Sequence, residues 1–268
     1  SLVPEISGYP ASTIIRFTTE KSKLRAELCG LLSVRGSVDV EDSINGQWCI
    51  DRRLFLPFVK VGKEQNLNWT VQEKRIVAKA GRRTAKFDPL ESGGYSEPVW
   101  DGETLSKEEA EAVESAVKFA LKDATVPELN GVIVSAHDSI AEIYSATTLV
   151  SYRVRVHGDV SAQIPIEIAK LVGYGSVRAS KTAVTVKHNS LHDCFIWQPV
   201  STMLSKFPLD KLSSLMDMKG QKFGTIEANG LATAASRLVF YLSSVDKRLW
   251  ELQIIPREER VALRVVFP

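Results

Sequence analysis

The sequence is poor in the residues that build disulfide frameworks and metal centres. Its 268 residues include only three cysteines and four histidines. An odd number of widely spaced cysteines does not suit the disulfide framework of a small secreted domain, and it is typical of a reducing compartment. We therefore interpret Cys29, Cys49 and Cys194 as buried thiols, and the sequence predicts no cofactor and no resident metal.

Long apolar runs are also missing from the chain. No stretch approaches the roughly 20 apolar residues that a membrane-spanning helix needs. Residues 1–10 lack the basic and then apolar order of a secretory signal. These absences predict a cytoplasmic protein with no membrane partner.

A dominant charge of one sign is absent as well. The chain has 34 basic and 32 acidic side chains, so its net charge of +2 supplies almost no long-range field. Any binding of nucleic acid must then depend on where the cations lie. The hydrophobic fraction of 44% and the charged fraction of 25% are typical of a globular protein, and the length suits two or three domains.

Helix signals recur along the chain at intervals of roughly 55–60 residues. Helices are predicted at residues 51–61, 105–122, 164–172 and 225–242. The segment 105–122 has the strongest pattern, because Ser106 can cap it and apolar residues follow at helical spacing. Short β-branched runs bounded by turn residues fill every gap. This pattern predicts an α+β fold of repeated units, each a helix with antiparallel strands.

Turn and linker signals divide these units. Residues 71–87 are predicted to form a hairpin that turns at Gly81, with Arg82 and Arg83 near its tip. Residues 88–102, rich in glycine, proline, serine and acidic residues, are the predicted linker, and a second boundary is expected within 215–224. Because glycine-rich phosphate loops are missing, a doubly wound α/β fold is not expected.

Four ordered segments in the middle of the chain carry a family resemblance. They are 129–134 (LNGVIV), 144–148 (YSATT), 163–171 (QIPIEIAKL) and 204–208 (LSKFP). In order and spacing they resemble the Leu-Asn-Gly strand, the Ala-Thr segment, the Val-Pro helix and the Phe-Pro strand end of the second domain of bacterial β sliding clamps. Of the longer family segment that begins with Ala-Thr, this chain keeps only Ala146 and Thr147.

The resemblance implies a DNA-clamp fold with ring-lining helices and an outer sheet. It implies a first clamp domain at 1–98 without its opening helix, a second at 99–220, and the start of a third at 221–268. The implied function is that of a non-enzymatic processivity factor, associated with the nucleoid, which encircles duplex DNA regardless of sequence. Bacterial clamps imply a homodimeric ring. A trimer is the alternative if the third domain is absent, because six domains close such rings.

The resemblance also implies two functional surfaces. The cations expected to face DNA are Arg52, Arg53, Lys60, Lys118, Lys122, Lys170 and Arg237. An apolar pocket is expected to receive short peptide motifs from the DNA polymerase and the clamp loader. Its implied lining is Leu129, Thr147, Leu149, Val150, Ser151, Tyr152, Pro208 and Leu212.

Two other functions stay open on the sequence alone. The first is an interaction module that has the clamp fold but does not encircle DNA. The second is a metal-dependent hydrolase that uses His188, His192, Asp193 and Cys194. Strand-like residues flank this cluster, so we interpret it as a hairpin turn with polar tips rather than as a helix that presents ligands. Residues 173–176 (GYGS) follow a predicted helix and are interpreted as its C-terminal cap and turn.

Overall fold

The structure is a computed structural model that describes residues 11–30, 32–41, 45–61, 67–72, 75–91, 100–123, 125–191, 193–218, 227–241, 251–257 and 260–266. The chain divides into two compact units, Ser1–Ser213 and Ser214–Pro268. Within the described residues, the helices are too short or too polar to cross a membrane.

Helices and antiparallel strands alternate along the chain. In order, the elements are β1 (Ala11–Glu20), β2 (Lys23–Gly30), β3 (Ser33–Asp39), β4 (Gly46–Asp51), α1 (Arg52–Val61), β5 (Leu67–Gln72), β6 (Arg75–Ala80), β7 (Arg83–Phe87), β8 (Glu103–Thr104), α2 (Lys107–Ala116), β9 (Gly131–His137), β10 (Ile140–Ala146), β11 (Ser151–His157), β12 (Ala162–Pro165), α3 (Ile166–Ala169), β13 (Gly175–Ala179), β14 (Ala183–His188), β15 (Phe195–Pro199), α4 (Leu209–Met216), α5 (Ala228–Tyr241), β16 (Glu251–Arg257) and β17 (Arg260–Val266). The predicted α+β class and its recurring helices are confirmed.

The described residues of the first unit form three sheets. The largest has eight strands in the order β4-β1-β2-β3-β15-β14-β13-β8, and the others are β11-β10-β9-β12 and β5-β6-β7. Strand β3 pairs with β15, where Arg35 lies opposite Phe195. One sheet therefore runs from the N-terminal strands to those that follow α3. The second unit contains α5 and the hairpin of β16 and β17.

Two apolar cores lie in the first unit. One surrounds α2, whose Val113 and Ala116 are fully buried against strands that include β9 and β10. The other is largely aromatic and holds α1 against its sheets. There the ring of Phe55 lies 5.2 Å from the ring of Phe17 and 5.4 Å from that of Trp69. Helix α1 is thus fixed by its apolar face, and its polar face remains at the surface.

A buried ionic ladder crosses three strands of the large sheet. Glu27 of β2 lies directly opposite Arg16 of β1 and Arg35 of β3. Both guanidinium groups donate to its carboxylate, each with an Nε to oxygen distance of 2.5 Å. The Glu27 side chain is only 3% exposed. Because an unpaired buried charge costs about 3–5 kcal/mol, the ladder opposes a slip in strand register.

Helix α2 is shorter than predicted. The sequence pattern extends it to residue 122, but the α-helix ends at Ala116 and a single 3-10 turn, Val117–Phe119, follows. Strand β10 causes this ending, because the Ser145 hydroxyl donates to the Ala116 carbonyl at 2.6 Å. The N–H of Leu121 then donates to the Ala146 carbonyl. These tertiary hydrogen bonds replace those that would continue the helix.

Helix α3 is also shorter than its prediction. Residues 164–172 are predicted to be helical, whereas Ile164 belongs to β12 and pairs with Val132. The helix covers only Ile166–Ala169, and a 3-10 turn at Val172–Tyr174 leads into β13. The interpretation of residues 173–176 as a helix end and turn holds for residues 173 and 174, whereas residues 175 and 176 already belong to β13. The predicted hairpin around Gly81 is also confirmed, and Gly81 has a φ of +59°.

Candidate functional site

Helix α1 presents a basic stripe on its solvent-facing side. Arg53 and Lys60 are both exposed and lie seven residues apart, which places them on the same helix face about 10 Å apart along the axis. The ten residues of α1 include no aspartate or glutamate. This stripe is therefore free of acidic side chains from its own helix.

One flanking carboxylate does reach the stripe. Asp51, the last residue of β4, accepts a hydrogen bond from the backbone N–H of Arg53 at 2.8 Å and another from its Nη2 atom at 2.8 Å. Its side chain thus caps the start of α1 and pairs with the first exposed cation of the stripe. The Arg53 guanidinium, together with the Arg53 N–H, holds the pKa of Asp51 below its usual value.

The other predicted DNA-facing cations differ in their surroundings. Arg52 is half-buried, whereas Lys118 and Lys122 are exposed. The prediction places both lysines on the long helix, which is wrong, because they follow its end at Ala116. Lys170 follows α3 and pairs with Glu167 at 2.5 Å. Arg237 is exposed on α5, in the second unit.

The surface of α2 is mixed in charge. Its exposed side chains include Glu108, Glu111 and Glu114. Lys107 forms an ion pair with Glu111 at 3.8 Å. Negative side chains near the start of a helix interact favourably with the helix dipole, but they weaken the attraction of that helix to DNA phosphates. The basic character of the described helices is therefore concentrated on α1.

The residues predicted for the peptide pocket range from buried to exposed. Ser151 is exposed, and Thr147, Tyr152 and Pro208 are half-buried. Leu129 and Leu212 are each 8% exposed, so they belong largely to the core. Leu149 is 93% exposed and Val150 is 48% exposed. The exposed pair offers more apolar contact area to a partner than the buried leucines do, because those leucines already pack against their neighbours.

A compact turn sets the position of the exposed pair. The Thr147 hydroxyl oxygen accepts hydrogen bonds from the N–H groups of Leu149 and Val150, at 3.1 and 2.9 Å. The Thr147 N–H in turn donates to the Val150 carbonyl at 2.7 Å. Thr147 thus has a local role in this turn, and Leu149 is left at the tip.

An aromatic pair lies beside this turn. Tyr152 stacks on Phe119, with ring centroids 4.6 Å apart and nearly parallel planes. Phe119 is 37% exposed and is absent from the predicted site. Sequence reasoning missed it because a helix continuing to residue 122 gives no reason for this ring to meet β11. The available signal was a large apolar residue in a segment that begins and ends with a lysine, Lys118 and Lys122.

A contact between two side chains links β10, the strand before the turn at Thr147, to α4. The Tyr144 hydroxyl lies 3.4 Å from the Ser213 hydroxyl, one residue after Leu212. It also donates a short hydrogen bond to Glu142, which accepts a second from Arg155 at 2.5 Å. The Tyr144 hydrogen bond, followed by Arg155, lowers the pKa of Glu142.

A cavity of about 490 Å³ lies near the predicted pocket but includes none of its eight residues. Strands β9 and β12 of the four-stranded sheet line it, and so does Leu209 of α4, which follows Pro208 in the sequence. Its other lining residues are Ile133, Val134, Ser135, Ser161, Ala162, Gln163, Ser180, Lys181, Val200, Ser201, Thr202 and Ser205.

The cluster around residue 188 forms the predicted hairpin turn between β14 and β15. Asp193 accepts from Lys23 at 2.9 Å and from Ser37 at 3.2 Å, and burial raises the pKa of Cys194 to about 11. His192 lies outside the described residues. Within the described part of the chain, no three His, Cys, Asp or Glu side chains are placed to hold a metal ion.

Cys49 and Cys194 are buried thiols, as predicted, and the side chain of Cys29 lies outside the described residues. A buried thiol with a raised pKa is poorly suited to act as a nucleophile or metal ligand.

Comparison with known proteins identifies the fold. No family model and no curated protein sequence matches this chain. Among solved structures, the DNA polymerase III subunit beta from Pseudomonas aeruginosa has a TM-score of 0.72 at 16% identity and covers 99% of this chain and 80% of its own. The Helicobacter pylori beta clamp bound to a DNA ligase peptide has a TM-score of 0.71 at 12% identity and covers 96% and 76%. The DNA polymerase III beta subunit from Thermotoga maritima has a TM-score of 0.66 at 14% identity, with coverage of 95% and 75%.

These neighbours share the sliding-clamp fold with this chain, which confirms the resemblance drawn from its sequence motifs. The predicted domain boundaries and the predicted roles of individual site residues stay predictions. Residues 92–99, where the first boundary is expected, lie outside the described part of the chain.

Proposed function

We propose that this chain is a DNA sliding clamp, a non-enzymatic processivity factor that encircles duplex DNA and tethers a polymerase. The observation that carries the proposal is the clamp fold over at least 95% of the chain. Solved structures with this fold include a DNA polymerase III beta subunit and a clamp bound to a DNA ligase peptide. The cytoplasm, and within it the nucleoid, is the compartment where such a protein would act.

The charge distribution supports weak binding to phosphates. A clamp must slide, so it needs sparse, salt-sensitive contacts that carry no sequence information. Arg53 and Lys60 on α1 supply such contacts, and Lys118 and Lys122 add two exposed charges after α2. The near-neutral net charge and the glutamates of α2 keep the attraction low.

A tethering role would use the turn after β10. We propose that Leu149 and Val150 enter an apolar contact with a short partner peptide, on a base formed by Leu129, Pro208 and Leu212. The hydrogen bonds of Thr147 already order the backbone of this turn, which lowers the entropic cost of binding a peptide there. The polymerase and the clamp loader are the partners that this role implies.

The test of encirclement compares circular and linear DNA. The protein is loaded by a clamp loader on nicked circular DNA and separated by gel filtration at high salt. Half of the sample is then linearised with a restriction enzyme. A topological clamp remains on the circle and slides off the linear molecule, whereas a simple DNA-binding protein dissociates equally from both. Equal retention would refute the proposal.

Light scattering on the native particle provides an independent check. Closure of a ring requires self-association, so a dimer or trimer is expected at micromolar concentration. A strict monomer would refute an autonomous clamp.

The mixed charge of α2 favours a second candidate function. Glu108, Glu111 and Glu114 would face the phosphates if α2 lined a ring. An interaction module with the clamp fold would need no DNA channel and would tolerate these charges. Such a module binds partner peptides with unchanged affinity in the absence of DNA and shows no topological retention on circles.

A further inference from the structure

The cavity beside the four-stranded sheet has no part in the proposed clamp function. Its volume of about 490 Å³ falls within the range of small-molecule sites. Four separate segments form its walls: strand β9, the start of β12, the turn between β13 and β14, and the chain that leads into α4. A site built from four segments holds its lining groups in a defined arrangement.

The lining chemistry excludes several classes of ligand. None of the thirteen lining residues is acidic, histidine or cysteine, which argues against a metal ion or an organic cation. None is aromatic, so the cavity lacks the stacking surface that nucleobases favour. Ile133, Val200 and Leu209 supply aliphatic surface, and Lys181 is the cation of this lining.

Hydroxyl groups in the lining are set to donate. The Ser161 oxygen accepts a hydrogen bond from the N–H of Ala136 at 3.0 Å, and the Ser201 oxygen accepts one from the N–H of Met203 at 3.2 Å. Each hydroxyl keeps its own hydrogen for a ligand, because the backbone bond uses only the oxygen. Lys181, an exposed residue of the same lining, adds a positive charge to these donors.

We propose that this cavity binds a small organic anion, a carboxylate or a phosphomonoester with a short aliphatic body. Lys181, Ser161 and Ser201 hold the anionic group, and the aliphatic lining contacts the body. This binding goes beyond the proposed clamp function and does not depend on it, because the cavity contains none of the residues assigned to DNA or to the partner peptide.

Titration calorimetry with defined probes tests the proposal on the full chain. Isovalerate is compared with isovaleramide, its uncharged isostere, and n-butyl phosphate is compared with inorganic phosphate. Saturable binding is expected for isovalerate or n-butyl phosphate. The uncharged amide is expected to bind at least fivefold more weakly than isovalerate, and inorganic phosphate more weakly than its organic ester. The preferred organic probe distinguishes a carboxylate ligand from a phosphate ligand.

Matched variants locate the binding. Lys181→Met is expected to weaken the preferred probe about fivefold, as for one partly exposed charge contact. Lys206→Met is the control: Lys206 is an exposed lysine that follows the lining residue Ser205 in the sequence but does not line the cavity. This variant should bind the probe with unchanged affinity. Ser135→Leu fills the cavity without changing charge and should abolish binding while the thermal melting temperature stays within a few degrees of the parent.

Three results would overturn the proposal. They are the absence of saturable binding by both organic probes, equal binding of isovalerate and isovaleramide, and equal loss of affinity in the two lysine variants. Retained binding in a folded Ser135→Leu variant would place the anion elsewhere and would refute the assignment to this cavity.

Discussion

Replacing Asp51 with asparagine isolates the electrostatic part of the proposed DNA contact. The Asp51 carboxylate pairs with Arg53, the exposed cation at the start of α1. Asparagine caps a helix about as well as aspartate, so the start of α1 should persist. The change removes the negative charge that competes with a phosphate for Arg53. We therefore expect Asp51→Asn to bind duplex DNA more tightly than the parent chain.

The size of the effect follows from counterion release. Each added phosphate contact steepens the plot of log affinity against log salt concentration by about 0.9. One further contact by Arg53 then means that a rise from about 50 to about 200 mM salt weakens the variant about 3.5-fold more than the parent. The free energy of unfolding should change by only a few tenths of a kcal/mol, because an exposed ion pair contributes little.

Fluorescence anisotropy with a short labelled duplex at several salt concentrations measures this slope. Asp210→Asn is the matched control, because Asp210 is an exposed carboxylate on α4 and its loss changes net charge equally. If the slope of log affinity against log salt concentration is the same in the two variants, the change in net charge alone explains the tighter binding. An unchanged slope in a well-folded Asp51→Asn protein would refute the assignment of Arg53 to a phosphate contact.

Three further predictions concern stability, pH and partner binding. Gly158→Ala should lower the free energy of unfolding by about 1–3 kcal/mol in urea titrations, because its Cβ would lie 2.1 Å from the carboxylate of Glu109, a buried residue of α2. Gly173→Ala is the control, because its Cβ would lie 3.1 Å from the flexible, exposed carboxylate of Glu114. Equal losses of unfolding free energy in the two variants would contradict this reasoning. Tyr144→Phe should raise the pKa of Glu142, now held low chiefly by that hydroxyl. A carboxyl group whose pKa is lower in the folded than in the unfolded protein stabilises the fold above its unfolded-state pKa, and this stability is lost as the pH falls through its folded-state pKa. The variant should therefore lose less stability between neutral and acid pH. An NMR titration in which the pKa of Glu142 does not move would refute the role of the Tyr144 hydroxyl. Leu149→Asp should abolish peptide binding in anisotropy assays and leave the melting temperature unchanged, because this side chain is 93% exposed; retained binding would exclude the turn from the pocket.

Sequence patterns predicted the recurring helices and most strands because these depend on local periodicity. The hairpin around Gly81 and the strands that flank residue 188 followed from turn residues between β-branched runs. The two shortened helices are the informative errors. Local propensity favours a longer α2, but Ser145 caps it from a strand that lies 29 residues later. Such a contact has no signature in the helical segment itself.

The candidate site was predictable to a similar extent. Motif order identified the clamp fold, and the resemblance singled out Arg53 and Lys60, which are exposed on α1. The pairing of Arg53 by Asp51, the burial of Leu129 and Leu212, and the stack of Phe119 on Tyr152 were not foreseen. Each depends on how far apart side chains lie after packing, and residue type does not report that distance.

The amino-acid sequence by itself determined the α+β class, the helix recurrence and the placement of basic residues on α1, because hydrophobic periodicity and turn chemistry act over a few residues. Only the tertiary structure decided the junction of β3 with β15, the ladder around Glu27 and the cavity lined by β9 and β12. These features join segments far apart in the chain. Their contacts form only when the sheets pack, since the entropy of closing such long loops is offset by the burial of both cores together.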